Sequence, residues 1–181
     1  MMRVHLACYD LIKPEPWLNI DIQKVTEATN FIQWDLKQGL PPECKDVSFF
    51  YSSHWLEHLT RQESLKHLRE CFDVMVSGGI IRHCIPDFFK LVSKYIEKDW
   101  GFFSHCLSLP ESSQLMSILN YSLYQRDDGV TAEHVQMWDS DWAVYTLELI
   151  GFKDCKRVEC DPEIDYGFRA PYSFFVQGIK P

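Results

Sequence analysis

Tyr51-Ser-Ser-His54-Trp-Leu-Glu57-His58-Leu-Thr60, with the segment that follows it as far as Ile80-Ile-Arg-His-Cys-Ile-Pro86-Asp87, decides the fold. Just upstream, Val47, Phe49, Phe50 and Tyr51 form a nearly continuous apolar run without the length or period of a helix, which reads as a strand buried on both faces. Thr60-Arg-Gln-Glu63 has the spacing of a capping box, and Leu65, Leu68, Phe72 and Met75 then recur at i, i+3, i+7 and i+10. One stripe of a helix reaching about Val76 therefore faces a core, and Gly78-Gly79 is expected to stop it. A second apolar run, Ile80 to Ile85, closes at Pro86, so strand, polar loop, amphipathic helix, Gly turn and strand follow in order. That is a parallel strand–helix–strand unit.

Ligands bind such sheets outside the carboxyl ends of the strands, and Ser52, Ser53, His54, Glu57 and His58 emerge there. Ser52-Ser-His-Trp-Leu-Glu-His-Leu, an Arg69-Glu-Cys helix, Ser77-Gly-Gly and a strand ending Ile85-Pro-Asp resemble, in that order, the class I S-adenosylmethionine (SAM)-dependent methyltransferases. The small bacterial group of type 11-like predicted methyltransferases is the nearest in pattern. The resemblance implies an α/β three-layer sandwich with a mostly parallel seven-stranded sheet and an antiparallel last strand. It also implies SAM as cofactor and a single domain over residues 1–181.

The composition agrees with one globular domain. At 181 residues, 46% hydrophobic and 24% charged, the chain can bury a full sheet with flanking helices. No apolar run approaches the ~18 residues of a membrane span, and Asp10, Lys13 and Glu15 interrupt the place where a signal peptide needs an apolar core. A cytoplasmic protein without a membrane partner is the default expectation. A net charge of −8 argues against a nucleic-acid partner held through phosphates. The seven cysteines include no Cys-x-x-Cys pair, and Cys71 and Cys84 fall in apolar patterns, so reduced thiols and no metal site are expected.

Further site residues come from the resemblance, taken along the chain. Residues 3–8 begin a strand with Val4 and Leu6 on one face. Where the family has a Leu-Gly-Cys-Gly type loop at the end of that strand, this chain has Leu6-Ala7-Cys8-Tyr9, so Ala7 and Tyr9 replace both glycines. A tyrosine does not freely adopt positive φ, which makes this loop the main departure from the pattern. Only about eight residues separate it from Trp17-Leu-Asn-Ile-Asp21-Ile22, fewer than the dozen or so of a helical crossover, so the crossover is abbreviated. Asp21 stands where the family's carboxylate accepts from both ribose hydroxyls, with Ile22 beside it; a solvated strand-end Asp is the alternative. Phe31-Ile-Gln-Trp34 reads as a third strand followed by Asp35-Leu36. The family's Asp there meets the adenine amino group and the next N–H a ring nitrogen, whereas taken alone Asp35 caps the turn into Lys37-Gln-Gly39-Leu-Pro-Pro42. Ala7, Cys8, Tyr9, Asp21, Ile22, Asp35, Leu36, Ser52, Ser53 and His54 are thus the expected cofactor contacts.

Beyond Asp87 the spacing predicts a helix over 88–100, then an irregular segment, 101–136, with a helix over 112–124. Such a segment on a compact sheet reads as a lid or acceptor loop. Residues 140–150, capped by Asp139 or Ser140 and ended by Gly151, form the last helix, and 153–160 with 172–179 pair as an antiparallel hairpin. Methyl transfer needs near-attack geometry and a base only if the acceptor loses a proton. His54 and His134 are the candidate bases, His134 opening His134-Val-Gln-Met-Trp138, which resembles the family's His-x-x-Met-Trp; His58 reads better as structural. The acceptor, a small molecule by expectation, and the oligomeric state are not legible. A fold-retaining binding or regulatory protein without activity is the alternative that the altered 7–9 loop raises.

Overall fold

In a computed structural model, described here for residues 1–24, 26–107 and 134–181 (backbone only at 105–107), the apolar runs assemble into one seven-stranded sheet. The strands are β1 (Met2–Leu6), β2 (Trp17–Asp21), β3 (Phe31–Gln33), β4 (Val47–Ser53), β5 (Met75–Pro86), β6 (Lys153–Val158) and β7 (Ser173–Ile179). Their order across the sheet is β3-β2-β1-β4-β5-β7-β6. The first five are mutually parallel, and β7 runs antiparallel to both β5 and β6, as expected for a reversed final strand. The order turns back on itself between β1 and β4, so the carboxyl ends of these two strands flank the crevice where such sheets bind ligands.

β4 is central because Phe49, Phe50 and Tyr51 are all buried, one face to each layer. On the first face Val4, Leu6, Ile20, Phe50, Ile81 and Val176 meet two helices, α1 (Arg61–Val74) through Leu68 and Cys71, and one further on through Ala143, Leu147 and Ile150. α1 begins with a complete capping box: the Glu63 N–H donates to the Thr60 hydroxyl and the Thr60 N–H to the Glu63 carboxylate at 2.7 Å. It ends at Val74 rather than about Val76, and not through a Gly turn. The chain passes directly into β5 at Met75, and Gly78-Gly79 lie inside that strand, where the register to β4 jumps from Val47↔Met75 to Phe49↔Ile80. Gly78 there has φ +77°, and a Cβ on Gly79 would stand 2.9 Å from the Val76 carbonyl, so both glycines serve the irregularity instead of the helix end.

The segment expected as one helix over 88–100 is two: α2 (Phe88–Ile96) and α3 (Trp100–Leu107). Lys98 takes φ 56° between them, and the Asp99 carboxylate accepts from the Phe102 N–H, restarting the helix. Residues 101–107, expected to be irregular, are therefore helical; the expected 112–124 helix and most of the 101–136 segment lie outside the described residues. α4 (Ser140–Ile150) is capped by Asp139, whose carboxylate accepts from the Trp142 N–H, and closes at Gly151 with φ 121°, as the sequence indicates.

The second face of the sheet is covered, among the described residues, largely by irregular chain. Trp17, Phe49 and Tyr51 pack there against Ile164 and Tyr166 of the loop between β6 and β7. No helix follows β1, so the 7–16 connection is short, and Lys13 lies over the Tyr51 and Tyr166 rings, 4.7 Å from each, while donating to the Ile164 carbonyl. Burial pulls the Lys13 amine down to about 8. Arg82 of β5 and Asp165 of the same loop form a buried ion pair that ties this layer to the sheet.

Candidate functional site

The chain leaves β1 through two left-handed residues: Ala7 has φ 49° and Tyr9 φ 47°. Tyr9, a residue that does not freely adopt positive φ, takes it here at a cost, so the loop has the left-handed backbone that glycines supply more readily. It is held by its neighbours: the Cys8 N–H donates to the Ile20 carbonyl, the Leu11 N–H to the Cys8 carbonyl, and the Tyr9 N–H to Asp21 Oδ2 at 2.8 Å. A non-glycine residue there costs about 1–2 kcal/mol, of which glycine's unfolded-chain entropy returns roughly 0.5–1. Ala7→Gly is accordingly expected to raise stability by up to about 1 kcal/mol, read as the midpoint of urea unfolding. A loss of stability would show that the Ala7 side chain contributes packing that outweighs the strain.

Asp21, buried at the end of β2, is the hub of this edge. Its Oδ2 accepts from the Tyr9 N–H and its Oδ1 from the Gln23 N–H at 2.9 Å, so each oxygen retains a lone pair. Ile22 beside it is exposed, and Tyr9 is exposed too, so both side chains border open space above the strand ends. Cys8 is buried, and that burial, with Asp21 nearby, pushes its thiol up to about 12, which makes it inert packing. Asp35 sits past β3 as the cap of a single 3-10 turn (Leu36–Gln38): its carboxylate accepts from the Lys37 N–H at 3.0 Å and from the Gln38 amide at 3.2 Å. The capping role that the residue alone suggests is thus present, and Leu36 is buried in the core.

Ser52 and Ser53 do not lie in a loop but close β4, both buried. The Ser52 hydroxyl is engaged with His83 Nδ1 at 2.7 Å, and the Ser53 carbonyl accepts from Arg169 at 3.0 Å. The chain turns at His54, which takes φ 60° while its N–H donates to the Cys84 carbonyl. Its imidazole meets the Ser173 hydroxyl through Nε2 at 2.8 Å and stands with Nδ1 3.6 Å from Glu57 Oε1. Burial, with Arg169, His134 and His58 adding to it, holds His54 well below the usual histidine range. It is neutral near pH 7, and its depressed proton affinity makes it a weaker base than the unshifted histidine that the sequence suggests.

Sequence reasoning assigned no role to Glu57, which the structure puts at the centre of the histidines. It lies in a 3-10 turn (Leu56–His58), is 2% exposed, and among the described residues neither carboxylate oxygen has a hydrogen-bond partner. Burial lifts its carboxyl to about 8. The Val135 and Gln136 N–H groups donate to the Glu57 carbonyl and lay the 134–139 segment over this turn. His134 is thereby brought to 4.0 Å from Glu57 Oε1, and its ring to 4.9 Å from that of His58. The signal available in the sequence was His54-x-x-Glu57-His58, spaced i, i+3, i+4. A groove of about 620 Å³ at the opposite, amino-terminal edge, lined by Met2, Lys45, Asp46 and Gly78 among others, gathers no such set of groups.

No protein-family model and no curated protein matches the sequence. Solved structures match it over nearly its whole length. A SAM-dependent methyltransferase from Archaeoglobus fulgidus superposes with a TM-score of 0.61 at 17% identity, covering 99% of this chain and 86% of the other. A putative S-adenosylmethionine-dependent methyltransferase from Listeria monocytogenes gives 0.56 at 15% identity, covering 99% and 91%. DhpI, solved as a complex with SAH, gives 0.61 at 12% identity, covering 99% and 76%. The chain therefore has the class I methyltransferase fold, with the strand order and reversed β7 described above. Among the described residues no helix is long and apolar enough to cross a membrane.

Proposed function

We propose that the chain is a SAM-dependent methyltransferase acting on a small-molecule acceptor in the cytoplasm. The observation that carries this reading is the 7–9 loop: Ala7 and Tyr9 retain left-handed backbone, and the loop is clasped to Asp21 at the end of β2. Strain of this kind persists only where the surroundings enforce it, and it collects at ligand sites. In this reading Asp21 accepts the ribose hydroxyls through its remaining lone pairs, and Asp35 with the Leu36 N–H borders the adenine. The 7–9 backbone and the Ser52–His54 turn lie along the rest of the cofactor. When bound, SAM supplies an electrophilic methyl group on a sulfonium. The protein's part is to hold the acceptor in line with it and keep water out. A neutral His54 fits an acceptor that reacts without a strong base.

Asp21→Ala is expected to weaken SAM binding by about 1.5–3 kcal/mol, ten- to a hundredfold, measured by calorimetric titration with SAM and with its demethylated product. Binding that is saturable in the wild type and insensitive to Asp21→Ala would refute the ribose role. The Cβ atoms at positions 7 and 9 favour a second reading, a fold-retaining binding or regulatory protein. It predicts no saturable binding at millimolar SAM by the folded wild type.

A further inference from the structure

We propose that Glu57, His58 and His134 form a binding site for one divalent transition-metal ion at the carboxyl edge of the sheet. One ligand atom from each, two imidazole nitrogens and a carboxylate oxygen, lies within 4.8 Å of the other two. Ligands at about 2.0–2.1 Å around a tetrahedral ion stand roughly 3.4 Å apart, so closure asks for side-chain movements of about 1 Å, not for refolding. Two nitrogens and one carboxylate oxygen with positions left open is a donor set suited to zinc, cobalt or iron in the divalent state.

A second, independent observation points to a cation. The Glu57 carboxylate is almost wholly removed from water, yet among the described residues neither of its oxygens receives a hydrogen bond. The nearest imidazole nitrogens, on His54 and His134, stand at 3.6 and 4.0 Å, too far for hydrogen bonds. A buried carboxylate is costly unless it is protonated, paired with charge or coordinated to a metal. Beside it, lined by Glu57, His134, Gln136 and Phe88, is a cavity of about 10 Å³, the space of one water or one ion.

The backbone makes the cluster a built arrangement. Glu57 and His58 are adjacent in one 3-10 turn, and the Val135 and Gln136 N–H groups, bonded to the Glu57 carbonyl, fix His134 from 77 residues away. Among the neighbouring histidines, His54 keeps its Nε2 on Ser173, and its other nitrogen stands 3.6 Å from Glu57 Oε1. Nothing in the assignment depends on SAM or on methyl transfer.

The test is titration of the chelator-treated protein with cobalt(II) chloride, followed by visible absorption, and with zinc chloride, followed by calorimetry, no SAM being added. The expected result is saturable binding of one ion per chain, with cobalt absorption bands of a four- or five-coordinate site and no sulfur charge-transfer band. Glu57→Gln and His134→Gln are each expected to lower affinity at least tenfold, and circular dichroism checks that they fold. If Glu57→Gln fails to fold, His134→Gln and His58→Gln carry the same comparison. The absence of one-to-one binding up to millimolar metal would overturn the proposal. So would binding that the folded variants leave unchanged, or a thiolate signature marking cysteines as the ligands.

Discussion

Asp165→Ala is expected to destabilise the protein by about 3–5 kcal/mol, because it leaves the guanidinium of Arg82 buried without its counter-charge. Arg82 is 4% exposed, and its Nε donates to Asp165 Oδ1 at 3.0 Å while a second nitrogen pairs with Oδ2. Its other donors go to the Gln177 side chain at 3.1 Å and the Glu159 carbonyl at 2.7 Å, so every partner comes from β7 or the chain between β6 and β7. Asp165 also accepts from the Asp161 N–H at 2.7 Å, which lets one carboxylate both neutralise the arginine and hold the turn. The substitution therefore removes a charge partner and unfastens the loop that covers Tyr51 and Trp17. Urea unfolding followed by tryptophan fluorescence measures the loss. The double replacement Arg82→Met with Asp165→Leu is expected to recover most of it, since an apolar pair pays no desolvation. A loss below 1 kcal/mol for Asp165→Ala would mean that water reaches the arginine when the loop opens.

That ion pair joins residues 83 positions apart, and nothing in the local pattern of either announces it. What was legible was what local chemistry dictates. The Thr60 capping box, the Asp139 cap, the Gly151 closure and the apolar stripe of α1 are short-range signals, and each appears in place. The mostly parallel seven-stranded sheet and the reversed β7 followed from the resemblance and from the polar loop between the last two strands. The errors lie where a local signal has two physical outlets. Gly78-Gly79 can end a helix or relieve an irregular strand start, and the sheet used them for the second. The apolar period across 88–100 is compatible with one helix or with two that share a face. Lys98 and Asp99 break it without a proline or glycine between Phe88 and Trp100.

At the site the same division holds. Asp21 and the 7–9 loop were singled out through residue order, and the structure adds that they bond to each other. The backbone at Ala7 and Tyr9 was not predictable from residue type, since propensity disfavours it and only the surrounding hydrogen bonds impose it. Glu57, named at the strand ends, was given no role because its distinction is an absence of partners among the described residues in three dimensions, and His134 joins it only through the fold.

Mild acid is expected to unfold the protein more readily than its content of carboxylates would suggest. His5 and His83 are buried and held down to about 3, and His67 to about 4, in each case chiefly by burial, with Lys13 and Arg169 acting on His5 and His67 on His83. Each has a ring nitrogen without a partner among the described residues: Nε2 in His5 and His83, Nδ1 in His67, whose Nε2 accepts from the Trp55 indole N–H. In the unfolded chain all three titrate near the ordinary 6.5. Between 6.5 and these lowered values the unfolded chain binds protons that the folded chain refuses, so the stability is whole above about 6.5 and drains as pH falls. From pH 7 to pH 5 each histidine removes about 2 kcal/mol. Glu57, raised to about 8, takes up its proton in the folded state and works in the opposite sense, returning about 2–3 kcal/mol in metal-free protein over the same interval. For these three histidines and Glu57 the balance is a loss of roughly 3 kcal/mol, and His54, also held well below the usual histidine range, adds to it in the same direction, against the 5–15 kcal/mol typical of a domain. Urea midpoints at pH 7 and pH 5 measure it in chelator-treated protein. His67→Leu isolates one contribution: it lowers stability at both pH values but shrinks the difference between them by about 2 kcal/mol. A difference that the substitution leaves unchanged would show that His67 takes up its proton in the folded chain, with water admitted beside Trp55.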